Sequence, residues 1–345
     1  MSHTPEQLKA LPTPLLAWYD AAHRPLPWRQ EVTPYRTWVS EIMLQQTRVA
    51  AVLPYFDRFM AALPTVEALA AAPEQELMAL WQGLGYYSRA RNLQKAARMI
   101  VEQYGGVFPD TYEALLTLPG VGDYTAGAIA SIAFGRPVPA VDGNVLRLAA
   151  RLTGCADNVL EPAVRARFRR WMAEVIPADR PGAFNQALME LGATVCLPGG
   201  APLCDSCPAR DFCAARAAGT QKKLPLREKK TTRRTEPITV FLLRRGDAVA
   251  VRRRGEKGLL AGLWEMPNVP GTLDEPQAAA QLDQWGIVPH KWGKISKDKH
   301  IFTHITWEMT VFSIEVEGDI PHDWAWRSAS APDGYPMPSA FAKLL

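Results

Sequence analysis

Residues 117–151, TLPGVGDYTAGAIASIAFGRPVPAVDGNVLRLAAR, read as a helix, a tight glycine hairpin and a second helix, followed by a lone acid ahead of a third. Asp110 can cap a helix through Leu116, Pro119-Gly120-Val121-Gly122 breaks it, Asp123 caps the next, and Gly135 stands where that helix would stop. Gly120 and Gly122 permit positive φ and close approach to a ligand. The free N–H groups opening the second helix then form an anion site that suits a nucleic-acid phosphate. Downstream, Asp142 precedes a helix at Val145, and Gly143 and Asn144 keep the local backbone open. That carboxylate is the first candidate for chemistry. Both features have a plainer reading: the turn as a simple helix connector, and Asp142 as an N-cap rather than a catalyst.

At 345 residues and 48% hydrophobic content, the chain can bury a large core and has the length of two or three domains. A net charge of +4 does not prove nucleic-acid binding, yet 39 Lys and Arg against 35 acids leave room for local basic patches. No signal peptide or membrane span is apparent, so the expectation is a cytoplasmic protein, nucleoid-associated if bacterial, with no membrane partner; a monomer is expected as well. Five cysteines, four of them between 196 and 213, do not suit a disulfide scaffold in a reducing compartment and read as metal ligands.

Pro5 to Ala22 reads as a short amphipathic helix with Leu8, Leu15 and Trp18 as core. Leu26-Pro27-Trp28-Arg29 is a rigid turn presenting an indole and a guanidinium, both able to stack on a base, although a Trp beside Pro is usually packing. A helix starts after Pro34, carries Trp38, Ile42, Val49 and Val52 near helical spacing, and is disturbed at Pro54. On it Glu41 is flanked by apolar residues; if buried, its pKa rises and it stays protonated as a general acid. The plainer reading is a solvated helix residue. Further short helices over 64–104 are broken at Gly83 and Gly85, where Gly-Leu-Gly-Tyr-Tyr precedes Arg89 and Arg91. That mix suits a DNA backbone contact with an aromatic wedge, or a core tyrosine pair. Two helices follow between 161 and 196, the first with a solvated face of Arg165, Arg167, Arg169 and Arg170. The cysteines are separated by seven, two and five residues, Cys196, Cys204, Cys207 and Cys213, and could hold zinc or an iron–sulfur cluster; Cys155 reads as a buried small hydrophobe.

Together, the run Glu41 to Thr47, the Gly-Leu-Gly-Tyr-Tyr turn, Leu-Pro-Gly-Val-Gly with Asp142, and the four cysteines resemble the helix-hairpin-helix DNA glycosylases, and among them the MutY-type adenine DNA glycosylases. The resemblance covers nearly the whole chain. It implies a multidomain protein: an all-α glycosylase core over 1–225, an α+β Nudix-like domain over 237–345, and a basic linker, 226–236, between them. The core would divide into a six-helix barrel lobe, about 30–136, and an iron–sulfur lobe from 1–29 plus 137–225. Cys196, Cys204, Cys207 and Cys213 would ligate a [4Fe–4S] cluster, although the family commonly has six residues where seven separate the first two here; Gly199 and Gly200 could absorb the extra one.

The implied substrate is double-stranded DNA with adenine mispaired with 8-oxoguanine, and guanine as an alternative opposite base. Glu41 would protonate the leaving adenine and Asp142 would stabilise the sugar cation, the two-carboxylate logic of glycoside hydrolysis. Tyr124 and Asn144 would position them. Trp28, Arg29 and Gln186 would contact the flipped adenine, while Leu44, Gln46, Thr47 and Tyr86 would fill the space around the opposite base, with Gly120 and Gly122 on the backbone. The related endonuclease III type uses a lysine nucleophile where this chain has Tyr124, and no lysine occurs between 96 and 221. A monofunctional hydrolase is therefore favoured over a bifunctional lyase, and the two acids argue against a non-catalytic lesion-binding protein.

Beyond the linker, Ile238–Leu243 and Ala248–Val251 alternate about Gly246-Asp247 as a hairpin, 273–285 reads as a helix, and 301–316 as a strand. Residues 258–267, GLLAGLWEMP, resemble the MutT-like domain that ends MutY-type proteins, but no Glu-rich Nudix box follows. This domain should bind rather than hydrolyse. Phe302-Thr303-His304 matches the family's Phe-Ser-His loop, which reads 8-oxoguanine, with threonine keeping the hydroxyl.

Overall fold

The computed structural model describes residues 5–199, 202–228, 233–255, 258–328 and 335–345. Gly200 and the middle of the linker, 229–232, lie outside them. The chain divides into two compact units, residues 1–71 with 91–229, and residues 72–90 with 230–345.

The first unit is helical. Helix Asp123–Ile132 packs against both Pro34–Leu44 and Pro181–Thr194, and the latter packs in turn against Pro12–Ala22 and Gly143–Thr153. One core joins Leu8, Leu11, Leu15 and Tyr19 from the N-terminus to Leu148, Phe168, Phe184 and Leu191. The N-terminal helix thus serves the distant part of the chain. It is two helices, Glu6–Lys9 and Pro12–Ala22, because Pro12 restarts the backbone at an N-terminal position it suits.

Local differences from the sequence expectations have backbone causes. The helix from Pro34 ends at Leu44, since Gln46 takes φ +60, and a separate helix, Val49–Ala62, absorbs Pro54 in its interior. Thr111, not Asp110, caps Tyr112–Leu116; its hydroxyl accepts from Ala114 N, while Asp110 pairs with Arg136. Gly122, not Asp123, is the cap of Asp123–Ile132, leaving the Asp123 carboxylate to Tyr112 Oη at 2.6 Å and Arg169 at 2.7 Å. Cys155 is half-buried, its Sγ 3.2 Å from Arg167 Nη2. Residues 88–104 form one long helix rather than short pieces.

The second unit is built on a mixed sheet, with β1 Arg234–Arg245, β2 Ala248–Arg253, β3 Trp264–Glu265, β4 Asn268–Pro270, β5 Val288–Ile301, β6 Ile305–Glu317 and β7 Trp324–Ser328. The order is β3-β2-β1-β6-β5, with β4 also on β1 and β7 on β2; β1 and β6 are parallel. Strand β1 is buried on both faces: Val240 and Leu242 meet Trp307, Met309 and Phe341, and Phe241 and Leu243 meet Leu282, Phe312 and Ile314. The expected hairpin and the helix Glu275–Gln284 are present. The strand expected over 301–316 is β6, shifted to Ile305, and residues 302–304 form its turn from β5. The long β5 was not legible because its lysine-rich, largely exposed residues lack a buried alternation. Strand β1 begins at Arg234, inside the segment read as linker. Among the described residues no helix is long and apolar enough to cross a membrane.

Gly127 sets the approach of helix Asp123–Ile132 to the segment leading into Asp142: a Cβ there would lie 2.4 Å from the Pro139 carbonyl oxygen. Gly127→Ala should therefore destabilise the protein by about 1–3 kcal/mol, read as a lowered denaturation midpoint. An unchanged midpoint would show that the backbone gives way there.

Candidate active site

Glu41 lies in helix Pro34–Leu44 and is buried. Its Oε2 accepts a hydrogen bond from the Tyr124 hydroxyl, at the start of helix Asp123–Ile132; that hydroxyl also lies 2.9 Å from Met189 Sδ. Asp142 caps helix Gly143–Thr153. Its Oδ1 accepts from the backbone N–H of Asn144 and Val145, each at 2.8 Å, and its Oδ2 from Asn144 Nδ2 at 2.8 Å. The plain and the functional readings of Asp142 thus describe one geometry.

The two carboxyls sit in different environments. Burial pushes Glu41 up to about 7; the Tyr124 hydrogen bond opposes this, Asp142 adds to it, and Arg29 opposes it. Burial also raises Asp142, but three hydrogen bonds and Arg147 work against the shift. One carboxyl with a single donor and another with three, both shifted upward by burial, differ in the hydrogen bonds that support their charge.

Both acids line a cleft of about 1560 Å³, wider than a typical small-molecule pocket. Trp28, Arg29, Gln186, Leu44, Gln46 and Thr47 line it too, as do Gly120 and Gly122 on the hairpin, where Gly120 holds φ +77. Trp28 is mostly buried, edge-on to Phe56 at 5.2 Å. Gln186 Oε1 accepts from Tyr19 Oη at 3.1 Å. Arg29 gives Nη2 to Glu190 Oε2 at 2.8 Å, and Arg24 gives Nε to Oε1 at 2.6 Å. Burial opposes the charge on Glu190, yet the two arginines outweigh it and hold the carboxyl down at about 2. Glu190, Met189, Tyr19 and Arg24 escaped the sequence reading. The available signal was helical spacing: Gln186, Met189 and Glu190 stand three and four residues apart on one face.

Tyr86, Phe302, Thr303 and His304 belong to the second unit. Tyr86, at φ +48 after Gly85, is exposed, and its hydroxyl lies 2.7 Å from Thr303 Oγ1. Thr303 and His304 are exposed as well, whereas Phe302 is half-buried, edge-on to Trp307 at 4.9 Å. Phe302 therefore braces the turn more than it projects from it.

Cys196, Cys204, Cys207 and Cys213 line one small cavity with Arg151, whose Nη1 is 3.2 Å from Cys196 Sγ. Burial raises the Cys207 thiol to about 11 and also lifts Cys213, and the neighbouring cysteines add to both. Four thiolates crowded into such a space need a cationic group to be held there. Four thiols on one cavity are donors of the kind a thiolate-ligated cluster takes, although among the described residues no three ligating side chains are placed to hold a single metal ion. Arg147 connects this loop to the acid: Nε donates to the Cys196 carbonyl at 2.9 Å, Nη2 to the Gly192 carbonyl and to Asn144 Oδ1, each at 2.8 Å.

The helical hairpin, the two acids in one wide cleft and the clustered thiols are what the comparisons with known proteins account for. Residues 39–174 match the model of the HhH-GPD superfamily base excision DNA repair proteins, and 239–345 that of the NUDIX domain. A thermostable thymine-DNA glycosylase is similar in structure at TM-score 0.56 and 28% identity, over 62% of this chain and 98% of that one. Endonuclease III in a non-covalent DNA complex gives TM-score 0.54 and 27% identity, over 64% and 100%. The adenine DNA glycosylase of Rattus norvegicus is 36% identical across 89% of this chain and 70% of its own length. The chain belongs to the adenine DNA glycosylase family.

The raised pKa of Glu41 makes stability depend on pH. Between the ordinary value, 4.5, and about 7, the folded protein holds a proton that the unfolded chain has released. The associated stability is full below the lower value and is lost as pH climbs through the upper one, a change on the order of 3 kcal/mol. Glu41→Gln cannot titrate, so its melting temperature should gain on wild type between pH 5 and pH 8. A constant difference would mean an ordinary carboxyl.

Proposed function

We propose that this protein hydrolyses the N-glycosidic bond of adenine mispaired with 8-oxoguanine in duplex DNA, acting as a monomer and without a lyase step. The observation that carries the reading is the pairing of a high-pKa acid, Glu41, with a hydrogen-bonded carboxylate, Asp142, in one cleft. The adenine must leave the base stack to meet them. Glu41 protonates the departing base, and Asp142 opposes the positive charge that develops on the sugar. Tyr124 holds the Glu41 carboxyl, and Asn144 holds Asp142. Gln186 and the clamped guanidinium of Arg29, both lining the cleft, offer donors to the ring nitrogens of adenine. Tyr124 in place of an amine removes the lysine nucleophile of a lyase and leaves water, or Asp142 itself, to meet the sugar. Tyr86 and Thr303, joined by their hydroxyls, would face the oxidised guanine with His304. Single-turnover excision on 8-oxoguanine:adenine and guanine:adenine duplexes tests this. Wild type should prefer the first, and Glu41→Gln and Asp142→Asn should each lose at least a hundredfold in rate while still binding. Wild-type turnover by either variant would remove that residue from the mechanism.

The four cysteines are assigned to a [4Fe–4S] cluster, supported by the donor set and the family. When bound, the cluster supplies a positively charged cross-link for four thiolates. Anaerobically purified protein should carry about four irons and matching sulfide per chain, with visible absorbance. Stoichiometric zinc without sulfide would overturn the assignment.

A further inference from the structure

The segment after the cysteine loop is anchored rather than loose. Leu224 is buried and its carbonyl accepts from Arg151 Nε at 2.9 Å. Leu226 forms a parallel bridge with Asn158, its carbonyl accepting from Val159 N at 3.1 Å, and Glu228 is held by the Asn158 side chain at both N–H and carbonyl, each at 3.2 Å. Between two fixed residues stands Arg227, exposed and lining the cleft, with Nη2 3.2 Å from the carbonyl of Gly143, the residue after Asp142. Neither matched family model extends over this segment.

Charge explains why that position matters. The Asp142 carboxylate at the reacting sugar repels the phosphates on either side of it, so bringing DNA there calls for nearby cations. Three of the six arginines lining the cleft are already paired with acids, Arg24 and Arg29 with Glu190 and Arg169 with Asp123. Among the described residues no carboxylate pairs with Arg227, and its bond to Gly143 uses one of five N–H donors. The remaining fork matches the oxygens of a phosphate.

We propose that Arg227, held in the cleft by its anchored neighbours, binds a backbone phosphate flanking the nucleotide at Asp142. This rests on the placement of that nucleotide given above. The plainer alternative is that Arg227 only tethers the segment to Gly143.

Binding of wild type, Arg227→Gln and Arg227→Lys is measured across a sodium chloride series. The probe is a guanine:adenine duplex whose target adenosine carries a 2′-fluorine to block cleavage. Glutamine keeps a donor for the Gly143 carbonyl and removes the charge; lysine keeps the charge. The slope of log K against log salt should become shallower by about 0.9 in Arg227→Gln and stay at the wild-type value in Arg227→Lys. Replacing one flanking phosphate by a neutral methylphosphonate should weaken wild type and leave Arg227→Gln no weaker than before. A wild-type slope in Arg227→Gln, or equal weakening of both proteins at every flanking phosphate, would reduce Arg227 to a tether and leave the catalytic reading intact. Salt-independent binding by wild type itself would instead overturn the placement of DNA in this cleft.

Discussion

The hold of a helix N-terminus on the Asp142 carboxylate is the constraint on which the rest of the site depends. An unsupported carboxylate in a partly buried cleft would take up a proton, and two backbone N–H groups with one side-chain amide oppose that. Each donor must itself be fixed. Asn144 is fixed by Arg147, and Arg147 by the carbonyls of Gly192 and Cys196. A Cβ on Gly192 would lie 2.5 Å from Asn144 Cβ, so the close approach of the two helices depends on glycine there. The acid and the first cysteine are therefore braced by one arginine, and any group that shapes the cysteine loop bears on the geometry of Asp142.

Glu41 is also raised by burial, with fewer donors to oppose the shift. Its helix buries it and gives it a single hydroxyl partner, so the proton is retained near neutral pH. The difference between the two acids follows from where each stands on its helix. Asp142 precedes a helix and meets open N–H groups, whereas Glu41 lies within one, where the backbone donors are already used.

The sequence made most of this legible because the decisive elements are local. Glycine turns, the acid ahead of a helix, cysteine spacing and the β1–β2 hairpin all declare themselves within a few residues. What escaped depends on pairing across the chain. Glu190 is an unremarked acid in an apolar helix until Arg24 and Arg29 arrive from far upstream. Tyr19 looks like core, which it is, and its hydroxyl still orients Gln186. Asp110 and Asp123 were both plausible caps by residue type, but neighbouring arginines claimed their carboxylates. Strand β5 lacks an alternating buried face and is recognisable only through its partner β6.

The face of helix Pro181–Thr194 shows how a few positions can couple recognition to chemistry. Gln186 meets Tyr19, Met189 meets the hydroxyl that holds Glu41, and Glu190 anchors Arg29. The same arginine acts on Glu41 through its charge, opposing the upward shift that burial imposes. Glu190 neutralises part of that charge, so it sets how strongly Arg29 favours the ionised form of the acid. A residue that only anchors a binding arginine therefore also influences whether Glu41 still carries a proton when the base arrives.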